Sequence, residues 1–463
     1  MKLTKSSKIC LIVFIYVFTL YLGINAYTSN TLLVDIKKVL CYLAPALITL
    51  KILFENIKNL KILFKNKLLI SLYFLILLWF ILSGIFGIKF GYDLVKGIAH
   101  YGILITLMLV LYSLDISEED KKEIKKHIFI SFFITAVFAI IQYIFKINLN
   151  TGSNTKYIGI NGRVNSTFTI ATLYDKYVCL IVPFIFYEIV TNKNDKFIYR
   201  ILLVLSMFAI TLTFSRTGQI IYIALMLSFI IFNIIKKSGK DILLSILILI
   251  LMVLIPGAKY SIQSGLEYVY EELHIPKKIQ LNLTKISKTK KSIIIDKAGQ
   301  CIDDDCVDDV DGSEFFRKYY KKVGKEFIKE YPIFGIGVNN YTYLFNNQNA
   351  KDYLKNNKII SDSYPYMFPH CGFIQIAAEI GYIGLIMLSI YLLIFAIFKF
   401  IHNKNINNLY LYSSFITTFI LCNVTENIYT AFQVIYIIMI LYMLYNINTN
   451  KTINKNKKTR NSD

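Results

Sequence analysis

The stretch Phe368–Leu385, FPHCGFIQIAAEIGYIGL, opens an apolar run that continues to about residue 398. A run of this length is sufficient for an α-helix to cross the hydrocarbon core of a bilayer. His370 comes just before the run, so the sequence predicts an imidazole at a boundary of the membrane. Because imidazole titrates near neutral pH, this position indicates chemistry at a membrane face.

Apolar runs of similar length recur through the chain, which has 463 residues, 55% of them hydrophobic and 15% aromatic. Twelve such windows predict an all-α, polytopic membrane protein. The first window follows a Lys-bearing start, as in a signal peptide, but the missing small-residue cleavage site favours a retained helix. The predicted spans lie near residues 8–27, 37–55, 68–88, 95–114, 127–146, 170–190, 197–214, 217–235, 241–258, 372–398, 408–423 and 428–446.

The basic residues predict the orientation of these spans. A formal net charge of +21 would suggest a nucleic-acid partner for a soluble protein, but here Lys residues concentrate in short loops between spans. With a cytoplasmic N-terminus, all seven Lys-bearing segments fall on one side, as the positive-inside rule requires. We therefore expect a multi-pass protein of the cytoplasmic membrane with both termini cytoplasmic and no nucleic-acid partner.

The spans and the loops between them predict four regions. Residues 1–258 carry transmembrane helices 1–9, and residues 370–446 carry helices 10–12. Between them, residues 259–369 are expected to form one large extracytoplasmic loop subdomain with amphipathic helices such as 262–274 and 314–330. Residues 447–463 are rich in Asn and Lys and are predicted to be a disordered basic cytoplasmic tail.

The large loop contains the sequence CIDDDC between Cys301 and Cys306, with further aspartates after it. On an oxidising face the two thiols could form a disulfide. The acidic cluster is interpreted as a solvated turn, with a cation site as the alternative, because the spacing of ligands that a calcium loop needs is incomplete. No zinc-type spacing occurs, so no metal is predicted.

Arginine is rare in this chain, and its placement is informative. Of 51 basic residues only five are Arg, and three of these fall on the predicted outer face, where the positive-inside rule gives no reason for them: Arg163, Arg216 and Arg317. The planar guanidinium binds phosphate oxygens through two hydrogen bonds, which makes a phosphate ligand a good explanation. The alternatives are snorkelling towards headgroups for Arg216 and an ordinary surface cation for Arg317.

The polar residues after His370 have helical spacing. Gln375 and Glu379 are four residues apart and therefore share one helix face, while Gly381 and Gly384 permit close approach of another helix. A Glu inside a membrane segment is costly and usually faces a polar cavity or a partner. His370 could be only an interfacial or capping residue, but with these neighbours it predicts a polar pocket beneath the outer loop.

These motifs resemble a known family. His370-Cys371, followed after nine residues by Gly381-x-x-Gly384, resembles the histidine motif of bacterial O-antigen ligases and of the related O-antigen and capsule polymerases. The segment YPIFGIGVNNY, which contains Gly335 and Gly337, is similar to the Pro-hydrophobic-Gly-x-Gly segment of that family.

Two further segments extend the resemblance to roughly residues 160 to 400. SRTG around Arg216 and GRVNSTF around Arg163 look like arginine motifs of the family, and Arg317 falls where the family often has an Arg. The sequence departs from the family at Cys371, where a polar residue is usual, and at Ser166, where a tight Gly is expected.

The resemblance implies a mechanism. The family transfers a glycan from a polyprenyl diphosphate to an acceptor hydroxyl at the outer face of the cytoplasmic membrane, with no metal or cofactor. By this resemblance, His370 is the general base or orients the acceptor, and Glu379 positions His370. Arg216, Arg317 and Arg163 would stabilise the diphosphate in place of a divalent cation. Direct attack on the anomeric carbon would invert its configuration.

The implied partners are the lipid-linked oligosaccharide donor, a glycan or lipid-carrier acceptor, the bilayer and other polysaccharide assembly proteins. The Ile, Asn and Lys bias is typical of an AT-rich bacterial genome and favours a capsule polymerase over a ligase. Two other classes stay open: a transporter or flippase for lipid-linked sugars, for which Asp175 and Lys176 in the sixth span are the best support, and a sensor or scaffold.

Overall fold

The computed structural model describes residues 2–21, 31–58, 61, 64, 66–88, 92–147, 163–168, 171–192, 194–255, 262, 310–341, 369–402, 405–426 and 432–446. Cys301, Cys306, the acidic cluster between and after them and the tail 447–463 lie outside these residues. The described residues form helices, and no strand occurs among them beyond an isolated bridge between Lys2 and Asp115.

Thirteen α-helices are present in the described part of the chain. In chain order they are α1 (Lys5–Tyr16, continued by a π-helix, Val17–Tyr21), α2 (Thr31–Glu55), α3 (Lys67–Phe86), α4 (Tyr92–Tyr112), α5 (Glu118–Phe145), α6 (Ala171–Thr191), α7 (Lys196–Leu212), α8 (Arg216–Ile235), α9 (Gly239–Leu254), α10 (Val310–Glu330), α11 (Gly372–His402), α12 (Ile406–Thr425) and α13 (Phe432–Asn446). Each of the twelve predicted spans overlaps one of these helices, and α10 covers the predicted amphipathic helix 314–330.

Five of the helices are long and apolar enough to cross a membrane: Lys67–Phe86, Leu94–Tyr112, Glu118–Phe145, Arg216–Ile235 and Gly372–Phe398. Their outer faces carry large, exposed apolar side chains. On α3, for example, Phe74 is 53% exposed and Leu78 is 51% exposed. Surfaces of this kind suit contact with lipid rather than with water. The count of twelve spans and the size of the outer loop stay predictions.

Long-range contacts sort the helix ends into two sets. At one end Lys8 Nζ lies 2.7 Å from Asp120 Oδ1 and Arg200 Nη2 lies 2.7 Å from Asp241 Oδ1, so the starts of α1 and α5 are together, as are those of α7 and α9. Residues of α5 and α7 also line one cavity, which joins the two pairs. At the other end lie Arg163, Arg216 and His370. We call these the lysine-rich end and the site end.

The last part of the predicted outer loop is packed onto the bundle. Val323 and Phe327 of α10 are buried with Ala377 and Ala378 of α11. Helix α10 has a strongly amphipathic sequence, so one apolar face meets α11 while Lys322, Lys325 and Lys329 stay exposed. This packing brings the segment that follows α10 into contact with the middle of α11.

Candidate active site

His370 is held by an acid at the end of α12. Its Nδ1 lies 3.0 Å from Glu426 Oε1, and the two side chains are 26% and 9% exposed. The backbone fixes the same contact, because the Gly372 N–H donates to the Glu426 carbonyl at 3.3 Å and the Glu426 N–H donates to the Cys422 carbonyl at 2.9 Å. With Nδ1 engaged by Glu426, Nε2 is the nitrogen that can act on a substrate.

The backbone of His370 adopts φ +45°, which is uncommon for a residue with a side chain. Such conformations are maintained only where the surroundings enforce them, and they concentrate at functional sites. Cys371, the departure from the family pattern, is buried and serves as a small apolar residue at the start of α11.

Helix α11 is broken at Gly381, and the segment 332–339 fills the break. Gly381 has φ +70° and ψ 176°, so the carbonyls of the preceding turn lose their partners within the helix. The Ile336 N–H donates to the Ala378 carbonyl at 2.8 Å, and the Gly337 N–H donates to the Glu379 carbonyl at 3.0 Å. In return, the Tyr382 N–H donates to the Pro332 carbonyl at 2.9 Å.

Helix α3 completes this junction. Ser83 Oγ donates to the Glu379 carbonyl at 2.9 Å, and Trp79 Nε1 donates to the Ile380 carbonyl at 2.9 Å. Phe334 stacks on Trp79, with ring centroids 4.9 Å apart. Irregular backbone at membrane depth is tolerated where protein groups satisfy it, and here the Pro-hydrophobic-Gly-x-Gly segment supplies those groups.

Close backbone approach explains the motif glycines of this junction. Gly335 and Gly337 both have positive φ, and a Cβ at Gly335 would collide with the Glu379 backbone. A Cβ at Gly381 would collide with the Ile333 carbonyl. Gly384 differs, because a Cβ there would meet only the side chain of Ile380.

Gly381→Ala is therefore expected to destabilise the protein by about 3 kcal/mol, the cost of a strained backbone conformation that only Gly adopts freely. The measurement is the thermal unfolding midpoint of the purified protein in detergent. Gly384→Ala is the matched control within the same motif, and we expect a much smaller change. Equal midpoints for the two variants would contradict this account of the break.

The carboxylate of Glu379 is buried and faces the docked segment. It accepts hydrogen bonds from the Asn339 N–H at 3.1 Å, Tyr101 Oη at 3.3 Å and Gln375 Nε2 at 3.1 Å. The spacing of four residues does bring Gln375 and Glu379 into contact. The carboxylate that the structure places against His370 is nevertheless Glu426, a residue that the sequence motifs did not single out.

The two arginine motifs meet at the same end of the bundle. Arg163 Nε donates to the Thr213 carbonyl at 3.0 Å, and the Val164 N–H donates to the Leu212 carbonyl at 3.0 Å. Thr213 leads directly through the α7–α8 turn to Arg216, the first residue of α8. Both arginines are partly exposed. Arg317 lies in α10, whose backbone the structure describes at that position.

Ser166 keeps the conformation that a glycine would take at its position. Its φ is +52°, its N–H donates to Gln142 Oε1 at 2.9 Å, and its Oγ donates to the Thr135 carbonyl at 2.6 Å. The departure from the family pattern thus preserves the tight turn next to Arg163, and the hydroxyl adds a bond to α5.

Ser166→Gly is expected to be nearly neutral, with a loss of about 1 kcal/mol for the missing hydroxyl bond. Ser166→Val is expected to lower the unfolding midpoint clearly, because a β-branched residue is a strong outlier at positive φ. Thermal unfolding of both variants in detergent measures the difference. A Val variant as stable as the Gly variant would contradict the prediction.

A fully buried ion pair contacts the SRTG motif that contains Arg216. Lys176 Nζ lies 3.1 Å from Asp175 Oδ1 and donates to Thr217 Oγ1 at 2.9 Å. Gly218 allows this contact, because a Cβ there would meet the Asp175 carboxylate at 2.6 Å. Glu426 lies within electrostatic range of Asp175. The His370 and Arg216 motifs are therefore linked through α6 and the end of α12.

The sequence contained one signal for Glu426: it is the only acid between Glu379 and Asp463, and it stands at the end of an apolar run. That signal gave no partner for it, because His370 lies 56 residues away in the chain. Among the described residues no group of three His, Cys, Asp or Glu could hold a metal ion.

The helices and the site define a class: an integral membrane protein whose apolar helices gather cationic and imidazole side chains at one end of the bundle. Residues 201–389 match the model of the O-Antigen ligase family. The match includes Arg216, Arg317 and His370 and confirms the resemblance stated from the motifs. A search of curated proteins gives no match.

Proposed function

We propose that this protein is a membrane glycosyltransferase that polymerises or ligates polyprenyl-diphosphate-linked glycans at the outer face of the cytoplasmic membrane. The observation that carries the proposal is the His370–Glu426 pair, 3.0 Å apart, at the same end of the bundle as Arg163 and Arg216. A base next to fixed cations suits a reaction in which a hydroxyl loses a proton and a diphosphate leaves.

In the proposed step the acceptor hydroxyl attacks the anomeric carbon of the donor glycan. His370 Nε2 accepts the hydroxyl proton as the new C–O bond forms. The bond from the anomeric carbon to the phosphate oxygen breaks, and polyprenyl diphosphate leaves with the electron pair. Glu426 holds the imidazole by Nδ1 and stabilises the imidazolium that results. A single displacement inverts the anomeric configuration.

Arg216, with Arg163 and Arg317, supplies positive charge for the leaving diphosphate. A guanidinium keeps its charge and offers paired donors in a fixed plane, so it can stabilise phosphate charge in place of a divalent metal cation. Lys176 contributes through Thr217, because this contact secures the first turn of α8 on which Arg216 stands. Gln375 and Glu379 position the docked segment 332–339, and the outer loop 259–369 would cover the donor.

A transporter or flippase for lipid-linked sugars is the second candidate, and the buried Asp175–Lys176 pair is the observation in its favour. Transporters keep such groups near the middle of their helices. Here the pair occupies the fifth and sixth positions of α6 and touches Thr217, which favours a role at the site end.

The deciding experiment places the full chain in proteoliposomes with a labelled polyprenyl-diphosphate oligosaccharide. We expect longer or transferred glycans, released polyprenyl diphosphate and an inverted new linkage by NMR. A quenching assay in parallel follows movement of the labelled lipid between leaflets. Movement without glycan transfer would overturn the proposal in favour of the flippase. Supplying a second lipid-linked glycan or a different lipid carrier as acceptor separates polymerase from ligase, and we expect the polymerase.

A further inference from the structure

A cavity of about 820 Å³ lies at the lysine-rich end of the bundle, away from His370 and Arg216. It is bounded by the first half of α5, the end of α6 and the start of α7. Its volume is in the range of ligand pockets in proteins. The reaction proposed above gives it no role.

One face of α5 changes from cationic to aromatic along this cavity. Lys122, Lys126, Phe129 and Phe133 all line it. Their spacing of four, three and four residues places them in a row on one side of the helix. The row spans about 16 Å at the rise of an α-helix. A ligand in contact with all four residues must have an anionic head and an apolar body.

The charges at the rim leave an excess of positive charge. Lys125 Nζ is 2.7 Å from Glu188 Oε1, which also accepts the Tyr445 hydroxyl at 2.5 Å, so this lysine has a fixed counter-ion. Lys122 and Lys126 are exposed at the rim. The cavity lining as a whole carries these three lysines against two acids, Glu188 and Asp195.

The opposite wall adds polar groups at the rim and apolar groups below it. Thr191, Asn192 and Asn194 lie at the level of the lysines, whereas Ile198 and Leu202 of α7 continue inward. Tyr199 also lines the cavity and makes an edge-to-face contact with Phe129, with ring centroids 5.3 Å apart. Polar and apolar parts are thus layered in the same order on both walls.

The apolar part opens to the side of the bundle. Phe133 is 43% exposed and Ile198 is 55% exposed, although both line the cavity. Glu118–Phe145 is one of the five helices that can cross a membrane, so this side of α5 is a face that lipid chains can reach. A lipid can therefore enter laterally with its head at the lysines.

We propose that this cavity binds one anionic phospholipid. Its phosphate lies at Lys122 and Lys126, its polar head contacts the Asn192 side, and its acyl chains follow Phe129, Phe133 and Ile198. A basic rim attracts an anionic head more strongly than a zwitterionic one, at about 1 kcal/mol per lysine near the membrane surface, which amounts to roughly tenfold or more for two lysines. The proposal does not rest on the function proposed above.

The test is native mass spectrometry of the full chain, delipidated and titrated with phosphatidylglycerol or with phosphatidylcholine of the same acyl chains. We expect retained phosphatidylglycerol to exceed phosphatidylcholine by roughly tenfold in the wild type. The Lys122→Gln/Lys126→Gln variant is expected to lose this preference. Lys237→Gln/Lys240→Gln is the matched control, because both residues are exposed at the same end outside the cavity, and it should keep the preference.

A further arm separates a lipid site from a site for a free phosphate. Soluble glycerol phosphate should not displace bound phosphatidylglycerol, because it lacks the chains that the apolar wall holds. Ile198→Trp, which places a large ring at the lateral opening, should weaken retention while the lysines remain. Equal retention of the two lipids by the wild type, displacement by glycerol phosphate, or a preference that survives the Lys122/Lys126 change would each overturn the proposal.

Discussion

Replacing His370 by Ala is expected to lower glycan transfer about a thousandfold, the usual size of a general-base contribution. The acceptor hydroxyl would lose the group that takes its proton, while the arginines would still bind the donor. The rate is measured in proteoliposomes that contain a polyprenyl-diphosphate oligosaccharide, with the donor above its KM. The effect should therefore be seen in kcat.

His127→Ala provides a matched control. His127 Nδ1 lies 2.9 Å from Tyr16 Oη in the half of the bundle near the lysine-rich end, so this variant also removes one partnered histidine but leaves the site intact. We expect it to transfer glycan at close to the wild-type rate. Full activity of His370→Ala under the same conditions would refute the assignment of the base.

The partner of His370 is tested by Glu426→Gln and Glu426→Asp. The Gln side chain occupies a similar volume but lacks the charge that stabilises an imidazolium, so kcat should fall about a hundredfold with little change in KM. Asp keeps the charge on a shorter side chain and should restore part of kcat. A purely structural role of Glu426 would instead lower the unfolding midpoint of both variants without this difference in kcat.

The second large effect is expected at Arg216. Arg216→Ala should reduce kcat/KM about a thousandfold, because the loss of one fixed donor to developing charge in a dry site lowers the rate by about this factor. Arg216→Lys keeps the positive charge but loses the planar pair of donors, so a loss of about tenfold to a hundredfold should remain. Initial rates over a range of donor concentrations measure both variants.

Arg200→Lys controls for the change from Arg to Lys. Arg200 donates to Asp241 at the lysine-rich end, through Nε at 3.0 Å and Nη2 at 2.7 Å. A lysine there can still pair with the acid, and the site is far away, so we expect nearly unchanged transfer. If Arg216→Lys were as active as Arg200→Lys, a specific contact between Arg216 and the diphosphate would be ruled out.

Several features of the fold follow from local sequence. Apolar windows placed all twelve predicted spans on helices, and the lysines marked helix starts that lie together in pairs, as the ion pairs Lys8–Asp120 and Arg200–Asp241 show. Both signals are local, because a helix that faces lipid must satisfy its backbone within itself. The break in α11 at Gly381 was not predicted. The sequence predicted only that this glycine would permit close approach of another helix.

The candidate site could be predicted in part. The rarity of Arg and the position of His370 drew attention to Arg163, Arg216 and His370, which lie at one end of the bundle. The contacts that build the site could not be predicted, since Glu426, Lys176 and Trp79 carry no motif. Each of them lies far along the chain from the residue that it contacts: His370, Thr217 and Ile380, respectively. Glu379 is the clearest case. It was expected beside His370, and its carboxylate instead accepts hydrogen bonds from the Gln375 side chain and the Asn339 N–H.

By itself the sequence predicted which segments are helical, and its motifs around SRTG and His370 resemble the O-antigen ligase family that residues 201–389 match. Apolar length, lysine placement and motif order can all be read along the chain. Only the tertiary structure decided which acid meets His370, why Gly335 and Gly381 must be glycines, and how Lys176 reaches Thr217. These contacts join different helices. The local sequence pattern of a helix does not specify which residue of another helix it will contact, and only the packing of the helices selects that residue.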